Sequence, residues 1–493
     1  MILAHLPALE VVVPLIAAPL TLVLRRASIA WALTTAACAI SFVVALLLAV
    51  EVARGGPISY AIGSWAPPWG IEYRVDALSS FMLVLVSGIA TVVATYALRS
   101  VATELRGGQG TLLYTMFCLC VAGLLGMSIT GDAFNLFVFM EIASLSSYVL
   151  IALGRDRRAL LASFQYLILG TIGATFFVIG VGLLFLKTGT LNLADMADRL
   201  HGESTDRAVR AALAFIVVGM SLKLALFPLH LWLPNAYTYA PSTVTALLAA
   251  TATKVSVYVL MRFYFDVFGL HLLTRVLPMQ DILMGLSILA IVTASLVAVW
   301  QTDLKRLFAY SSVAQIGYIT LGIALGTREG LTAAIVHLFN HGITKGALFL
   351  LLGLVAYYTG RTPISSVRGL ARSMPLTTFG ITLAGLSLVG VPGTAGFVSK
   401  WTLVLAAFEA DQWWLGGIVV ATSLIAVAYV WRFVEAAYLS APAVPSPVPR
   451  DRPLSMVVPA WILVGACIWF GFDTSYTVDA ARRAATLLLE AAQ

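Results

Sequence analysis

GMSLKLALFPLHLWLP, running from Gly219 to Pro234, is an apolar stretch with a lysine near its middle and prolines at Pro228 and Pro234. Proline inside a helix removes a backbone hydrogen bond and clashes with the preceding turn, so the stretch reads as a helix that breaks just past Lys223. A second stretch, GLSLVGVPGTAGFVSK from Gly385 to Lys400, repeats the plan. There Gly390, Pro392 and Gly393 make the break, and Lys400 follows it. Each break frees backbone carbonyls, which survive at membrane depth only where protein or a water-filled cavity satisfies them.

The composition around these stretches demands lipid. The 493 residues are 60% hydrophobic and only 11% charged, with a mean hydropathy of +0.95, against roughly 25% charged in a soluble domain. Apolar runs of about twenty residues, the length that crosses about 30 Å of hydrocarbon as a helix, recur along the whole chain. Fourteen spans are expected, at 4–24, 28–50, 76–98, 111–129, 131–153, 160–186, 209–227, 241–264, 280–300, 305–326, 330–358, 376–399, 413–438 and 454–471. The expected fold is all-α, one polytopic membrane domain over 1–493 with helices 7 and 12 broken and an amphipathic tail at 472–493. The first ten residues hold no Lys or Arg, so the first helix is expected to stay as an anchor rather than act as a cleaved signal. Cys38, Cys118, Cys120 and Cys467 lie in apolar segments without a C-x-x-C pair, which argues against disulfides, zinc ribbons and iron–sulfur sites. The formal charge of +7 comes from arginines in loops, where they set topology and touch lipid headgroups. It does not point to nucleic acid.

An internal repeat runs at an offset near 171: Asp132, Leu136, Phe137 and Phe139 match Asp303, Leu307, Phe308 and Tyr310, and Lys187-Thr188-Gly189 matches Tyr358-Thr359-Gly360. Arg262-Phe263 and Arg432-Phe433 close the two units, expected at 111–265 and 279–438. Helix 5 maps onto helix 10, and a shift of five helices makes the second unit enter the bilayer from the opposite face. Inverted repeats of this kind belong to ion-coupled transport, with sites near the midplane on broken helices. The loops after the odd-numbered helices hold the excess of Lys and Arg, which places both termini outside.

Burying a charge at a helix centre costs about 2.5 to 3.5 kcal/mol on insertion scales, so an intramembrane ionisable residue is a functional candidate. Of the six lysines, Lys223, Lys254 and Lys345 fall inside the expected spans and Lys400 directly follows the end of one, while Lys187 and Lys305 are counted with the loops; no arginine lies near a helix centre. The inequality is chemical, because a buried lysine can release its proton and an arginine cannot. Glu141 is the carboxylate near the middle of helix 5, and its repeat partner is Ser312. A contact between Glu141 and Lys223 that forms and breaks would gate protons; the plainer reading is an ion pair that locks two helices. His337, His341 and Lys345 follow at steps of four, which puts them on one helix face. Their alternatives are core packing and a zinc pair, the latter lacking a third ligand. Lys223 and Lys254 could instead snorkel or serve structure alone, Lys400 could face headgroups beside Trp401, and His230 is divided evenly between site and interface. Gly180-x-Gly182 lies within a helix and serves packing. No nucleotide loop, nucleophile elbow or metal quartet occurs in the sequence, and no cofactor is expected.

The segment FPLHLWLPNAYTYAPSTVTALLAATATKVSVYVLMRF (Phe227 to Phe263), with GDAFNLFVFMEI, DLKRLFAYSSVAQIGY, HLFNHGITKGALF and GVPGTAGFVSKW, resembles the proton-pumping membrane subunits shared by respiratory complex I and the Mrp-type sodium/proton antiporters. The resemblance implies a hydrophilic axis made by Glu141, Lys223, Lys254, His337, His341, Lys345 and Lys400. Within the family, the ATATK phrase ending at Lys254, the length and Lys400 look most like the antiporter's D-type subunits. It implies a bacterial inner-membrane location, partner membrane subunits, and protons and sodium as cargo. The alternative it carries is the proton-pumping arm of an NADH-quinone oxidoreductase or membrane-bound hydrogenase.

Overall fold

The computed structural model describes residues 2–24, 26–105, 107–200, 206–360, 362–441 and 453–492; most of the expected proline-rich connection, 442–452, lies outside them. The chain opens with α1 (Leu6–Leu24) and α2 (Ala27–Gly55), followed by a hairpin of β1 (Ile58–Ala61) and β2 (Glu72–Val75) in register Ile58 with Val75. Then come α3 (Ala77–Glu104), α4 (Gly110–Ile129), α5 (Ala133–Ala152), α6 (Arg158–Thr188) and the short α7 (Leu193–Leu200). The middle of the chain forms α8 (Arg207–Leu224), α9 (Trp232–Tyr239), α10 (Ser242–Ala250), α11 (Ala252–Met261), α12 (Gly269–His271) and α13 (Met279–Val299). The remainder forms α14 (Leu304–Ala324), α15 (Arg328–Thr359), α16 (Leu370–Ser373), α17 (Pro375–Val389), α18 (Ala395–Glu409), α19 (Trp413–Val434), α20 (Leu454–Phe472) and α21 (Ser475–Ala491).

Among the described residues, twelve helices are long and apolar enough to cross a membrane. The seventh and twelfth expected spans join them as broken pairs, α8 with α9 and α17 with α18. The hairpin is the only paired sheet among the described residues. The protein is an all-α polytopic membrane protein, with the long α15 completely enclosed along its apolar window and α10–α11 and α14 nearly so. Around this centre, α2, α6, α13, α19 and α20 turn apolar side chains such as Leu160, Phe164 and Leu186 outward. Lys254, Lys305 and Lys345 accordingly sit on the enclosed α11, α14 and α15, away from the lipid-facing surfaces where charge is costly. The tail α21 lays Ala480, Ala481, Ala484, Ala485 and Leu488 against the bundle and leaves Arg482 and Arg483 exposed.

The repeat offset is visible in local geometry. Asp132 caps α5 by accepting from Asn135 N at 2.7 Å, and Asp303 caps α14 by accepting from Arg306 N at 3.1 Å. Each of these turns is pinned by the chain beyond the next long helix, Ala133 N donating to Leu191 O at 2.8 Å and Leu304 N to Thr362 O at 2.9 Å. Gly189 (φ 71°) and Gly360 (φ 72°) end those two long helices in the left-handed region, where a side chain would be strained. Arg262 reaches the end of α4 through Tyr258, whose hydroxyl donates to Ser128 O at 2.9 Å; Arg432 donates directly to Val299 O at the end of α13.

One helix differs from expectation. The eighth span is not continuous: at Thr251 (φ −124°, ψ −55°) it breaks into α10 and α11, although no proline or glycine marks the place.

Candidate functional site in the helix interior

All three breaks in the interior are satisfied by a buried nitrogen donor. Past α8 the chain turns through Ala225 at φ 60°, and Leu222 O accepts from the Trp232 indole at 2.9 Å. At the Thr251 break, Ala249 O accepts from Lys254 Nζ at 2.5 Å and Leu248 O from Tyr237 Oη at 3.2 Å. Between α17 and α18, Leu388 O and Val389 O accept from Lys400 Nζ at 2.9 and 3.1 Å, and Ser423 Oγ joins them at 3.0 Å. A buried carbonyl without a partner costs about 1–3 kcal/mol. Two of the lysines therefore hold the fold's interruptions together, and the interruptions in turn give each ammonium the ligands that water would supply.

The expected site residues fall into two groups. In the first, Lys223 Nζ lies 3.8 Å from Glu141 Oε1 and donates to Ser144 Oγ at 2.7 Å. At 3.8 Å the carboxylate is an ion-pair partner and not a hydrogen-bond acceptor, and Oε1 has no hydrogen bond among the described residues. Lys223 is 4% exposed and Glu141 26%, so the pair runs from the interior to the flank of the molecule.

In the second group, His337 and His341 stack with ring centroids 6.1 Å apart on α15. His337 pairs with Ser399 Oγ at 2.8 Å through Nδ1 and with Gln315 Oε1 at 2.9 Å through Nε2. Neither ring nitrogen of His341 has a hydrogen-bond partner among the described residues. Lys254, Lys345 and Lys400 all lie within electrostatic reach of His341. Lys345 Nζ donates to Phe308 O at 2.7 Å and Ser311 Oγ at 2.5 Å, and Lys400 Nζ sits 4.6 Å over the Tyr318 ring. Three buried lysines and two stacked imidazoles thus lie within electrostatic reach of one another, and none of the three lysines is in an ion pair among the described residues. His230 lies apart, stacked on Phe227 with Nδ1 unpartnered among the described residues.

Four features escaped the sequence reading. Lys305, counted there among loop charges, is buried and donates to Ser242 Oγ at 3.0 Å. It lines a cavity of about 380 Å³ with Glu104, Asp156 and Asp303. At the other end of the eighth span a cavity of about 300 Å³ is lined by Asp76, Arg262 and Asp266, where Arg262 pairs with both aspartates at 2.5 and 2.8 Å. The uncharged face of α14 supplies Ser311, Gln315 and Tyr318 to Lys345, His337 and Lys400 in turn. Glu10 in the first span is fully buried, and its carboxyl oxygens have no partner among the described residues. Each position is silent in a hydropathy profile: Lys305, Glu10 and Arg262 stand near helix ends, and Ser, Gln and Tyr are ordinary in any helix.

Residues 130–426, which contain both groups and every break, match the family described as NADH:quinone oxidoreductase/Mrp antiporter, TM. This chain belongs to that family. Its members are proton-translocating membrane subunits. This member of the NADH:quinone oxidoreductase/Mrp antiporter family is 42% identical over 475 residues to the N-type subunit of the NADH-quinone oxidoreductase of Desulforudis audaxviator (strain MP104C), covering 93% of this chain and 94% of that one. It is 32% identical over 388 residues to the D-type subunit of the Na(+)/H(+) antiporter of Alkalihalophilus pseudofirmus, covering 78% and 76%. Among solved structures, a chain of the archaeal membrane-bound sulfane sulfur reductase superposes with a TM-score of 0.90 at 31% identity, covering 99% of this chain and 98% of that one.

Proposed function

We propose that this chain is a proton-carrying subunit of a multisubunit cation/proton antiporter, moving protons along Glu141, Lys223, Lys254, His341, Lys345, His337 and Lys400. The observation that carries the reading is the placement of three buried lysines around two stacked imidazoles, beside a separate Glu141–Lys223 pair. Charge so deep in lipid is retained where it moves, and the cavities at the two ends of the eighth span offer access from the two faces. The two five-helix units at 111–265 and 279–438 act as inverted halves about this axis. The partially exposed Glu141 fits a path that continues into a neighbouring membrane subunit. We further assign the protein to a bacterial inner membrane, with both termini outside and sodium as the counter-ion.

A second reading has its own support: the 42% identity to an oxidoreductase subunit over nearly the full length favours the proton-translocating arm of a redox-driven complex. Purifying the intact complex decides between them. Small hydrophobic companions and sodium-dependent proton movement in proteoliposomes mean the antiporter. A peripheral arm with flavin and iron–sulfur absorbance means the redox machine. Absence of proton movement in either setting would overturn the axis itself.

A further inference from the structure

His337 is held from two sides by groups of different hydrogen-bonding character. Gln315 presents its carbonyl oxygen to Nε2 at 2.9 Å, and a carbonyl oxygen can only accept. Nε2 therefore carries a proton in both the neutral and the charged ring. Nδ1 faces Ser399 Oγ at 2.8 Å, and the same Oγ also lies 3.2 Å from Gly396 O at the head of α18. A serine hydroxyl has one proton to donate, so it cannot serve Nδ1 and Gly396 O at once. With a neutral ring the hydroxyl donates to Nδ1; with a charged ring Nδ1–H donates to Oγ and the hydroxyl turns to Gly396 O. Both states are fully hydrogen-bonded and need no movement of the ring.

We infer that Gln315 and Ser399 are positioning residues that make His337 Nδ1 the proton-exchanging atom of the second group, with the Ser399 hydroxyl as its rotor. The inference rests on the proton-carrying reading above. A proton handed to the Ser399 oxygen by a water of the interior is matched by passage of the original hydroxyl proton to Nδ1, and the arriving proton stays on the oxygen as the new hydroxyl proton, pointing at Gly396 O. Return of the proton reverses both steps, so the serine ends as it began. The charged or titratable groups facing the ring are Lys400 from α18, Lys254 from α11, Tyr318 from α14, at 5.7 Å between centroids, and His341 from its own helix.

The test uses the intact complex in sealed vesicles, reading proton flux by dye quenching against pH. Ser399→Ala is expected to slow flux at least tenfold at normal complex yield, and Ser399→Thr, which keeps the hydroxyl, to restore it. Gln315→Glu keeps an acceptor and adds a negative charge beside the ring, so the pH profile is expected to move to higher pH, a change that a packing role would not produce. Wild-type flux in Ser399→Ala, no recovery in Ser399→Thr, or an unmoved profile in Gln315→Glu would overturn the inference. If Ser399→Ala does not assemble, the threonine and glutamate variants still decide. Glu141→Gln run in parallel separates the two failures: an active Glu141→Gln refutes the axis, whereas a dead Glu141→Gln beside an active Ser399→Ala refutes only the rotor.

Discussion

Glu141 and Lys223 are separated by 3.8 Å without a hydrogen bond between them, while Ser144 holds the ammonium at 2.7 Å. Such a pair is loose enough to open. Glu141→Gln and Lys223→Ala are each expected to cut proton flux at least about tenfold, equivalent to about 1.4 kcal/mol in a barrier, with complex yield unchanged. The double variant should lose little more than either single one, because the two act as one unit; flux in vesicles measures all three. His341→Ala should slow flux as well, since both ring nitrogens stand free among the described residues to exchange between Lys254 and Lys345. The charged members of the site were legible in the sequence because burying a charge is costly, so a lysine inside a twenty-residue apolar run demands a reason. Gln315, Ser311 and Ser399 were not legible, because uncharged polar residues are cheap in helices and only their three-dimensional partners give them meaning.

At the level of single elements, the breaks and the lysines are one design. Lys254→Met leaves Ala249 O without its donor at a break that no proline or glycine enforces. The expected cost is about 1–3 kcal/mol, seen as an earlier thermal melt of the complex beside the loss of flux. The crossing of α17 and α18 depends on a different property: a Cβ on Gly396 would overlap the Ser387 carbonyl oxygen. Gly396→Ala is expected to abolish assembly, whereas Gly182→Ala, with nothing within 4 Å, should be neutral or stabilising by up to about 1 kcal/mol through helix propensity. Complex yield and melting temperature read both. Pro228 and the Gly390 to Gly393 turn announced two breaks in the sequence; the Thr251 break went unseen because its cause is tertiary. Lys254 and Tyr237 reward it with hydrogen bonds, and the local sequence carries no signal of that.

For the whole molecule, four spans lie between α5 and α14, a shift of five, so the two run in opposite directions if every span crosses once. Impermeant thiol reagents should label cysteines at Arg157 and Thr302 from one face and a cysteine at Arg207 from the other, in a background free of Cys38, Cys118, Cys120 and Cys467, all of which are buried. Thr302 is exposed, whereas Lys305 three residues on is buried, so Thr302 is the informative position on that side. The spans were legible because apolar length is a one-dimensional property. The enclosure of α15 and the convergence of three lysines on its histidines are not, since they depend on which faces meet. That convergence also sets the decisive experiment: proton flux through vesicles carrying the intact complex with Lys345→Arg. Arginine keeps the positive charge but does not release its proton. Transport along the buried lysines predicts normal assembly and a flux reduced at least about tenfold; wild-type flux in Lys345→Arg would show that Lys345 is a fixed charge and would contradict it.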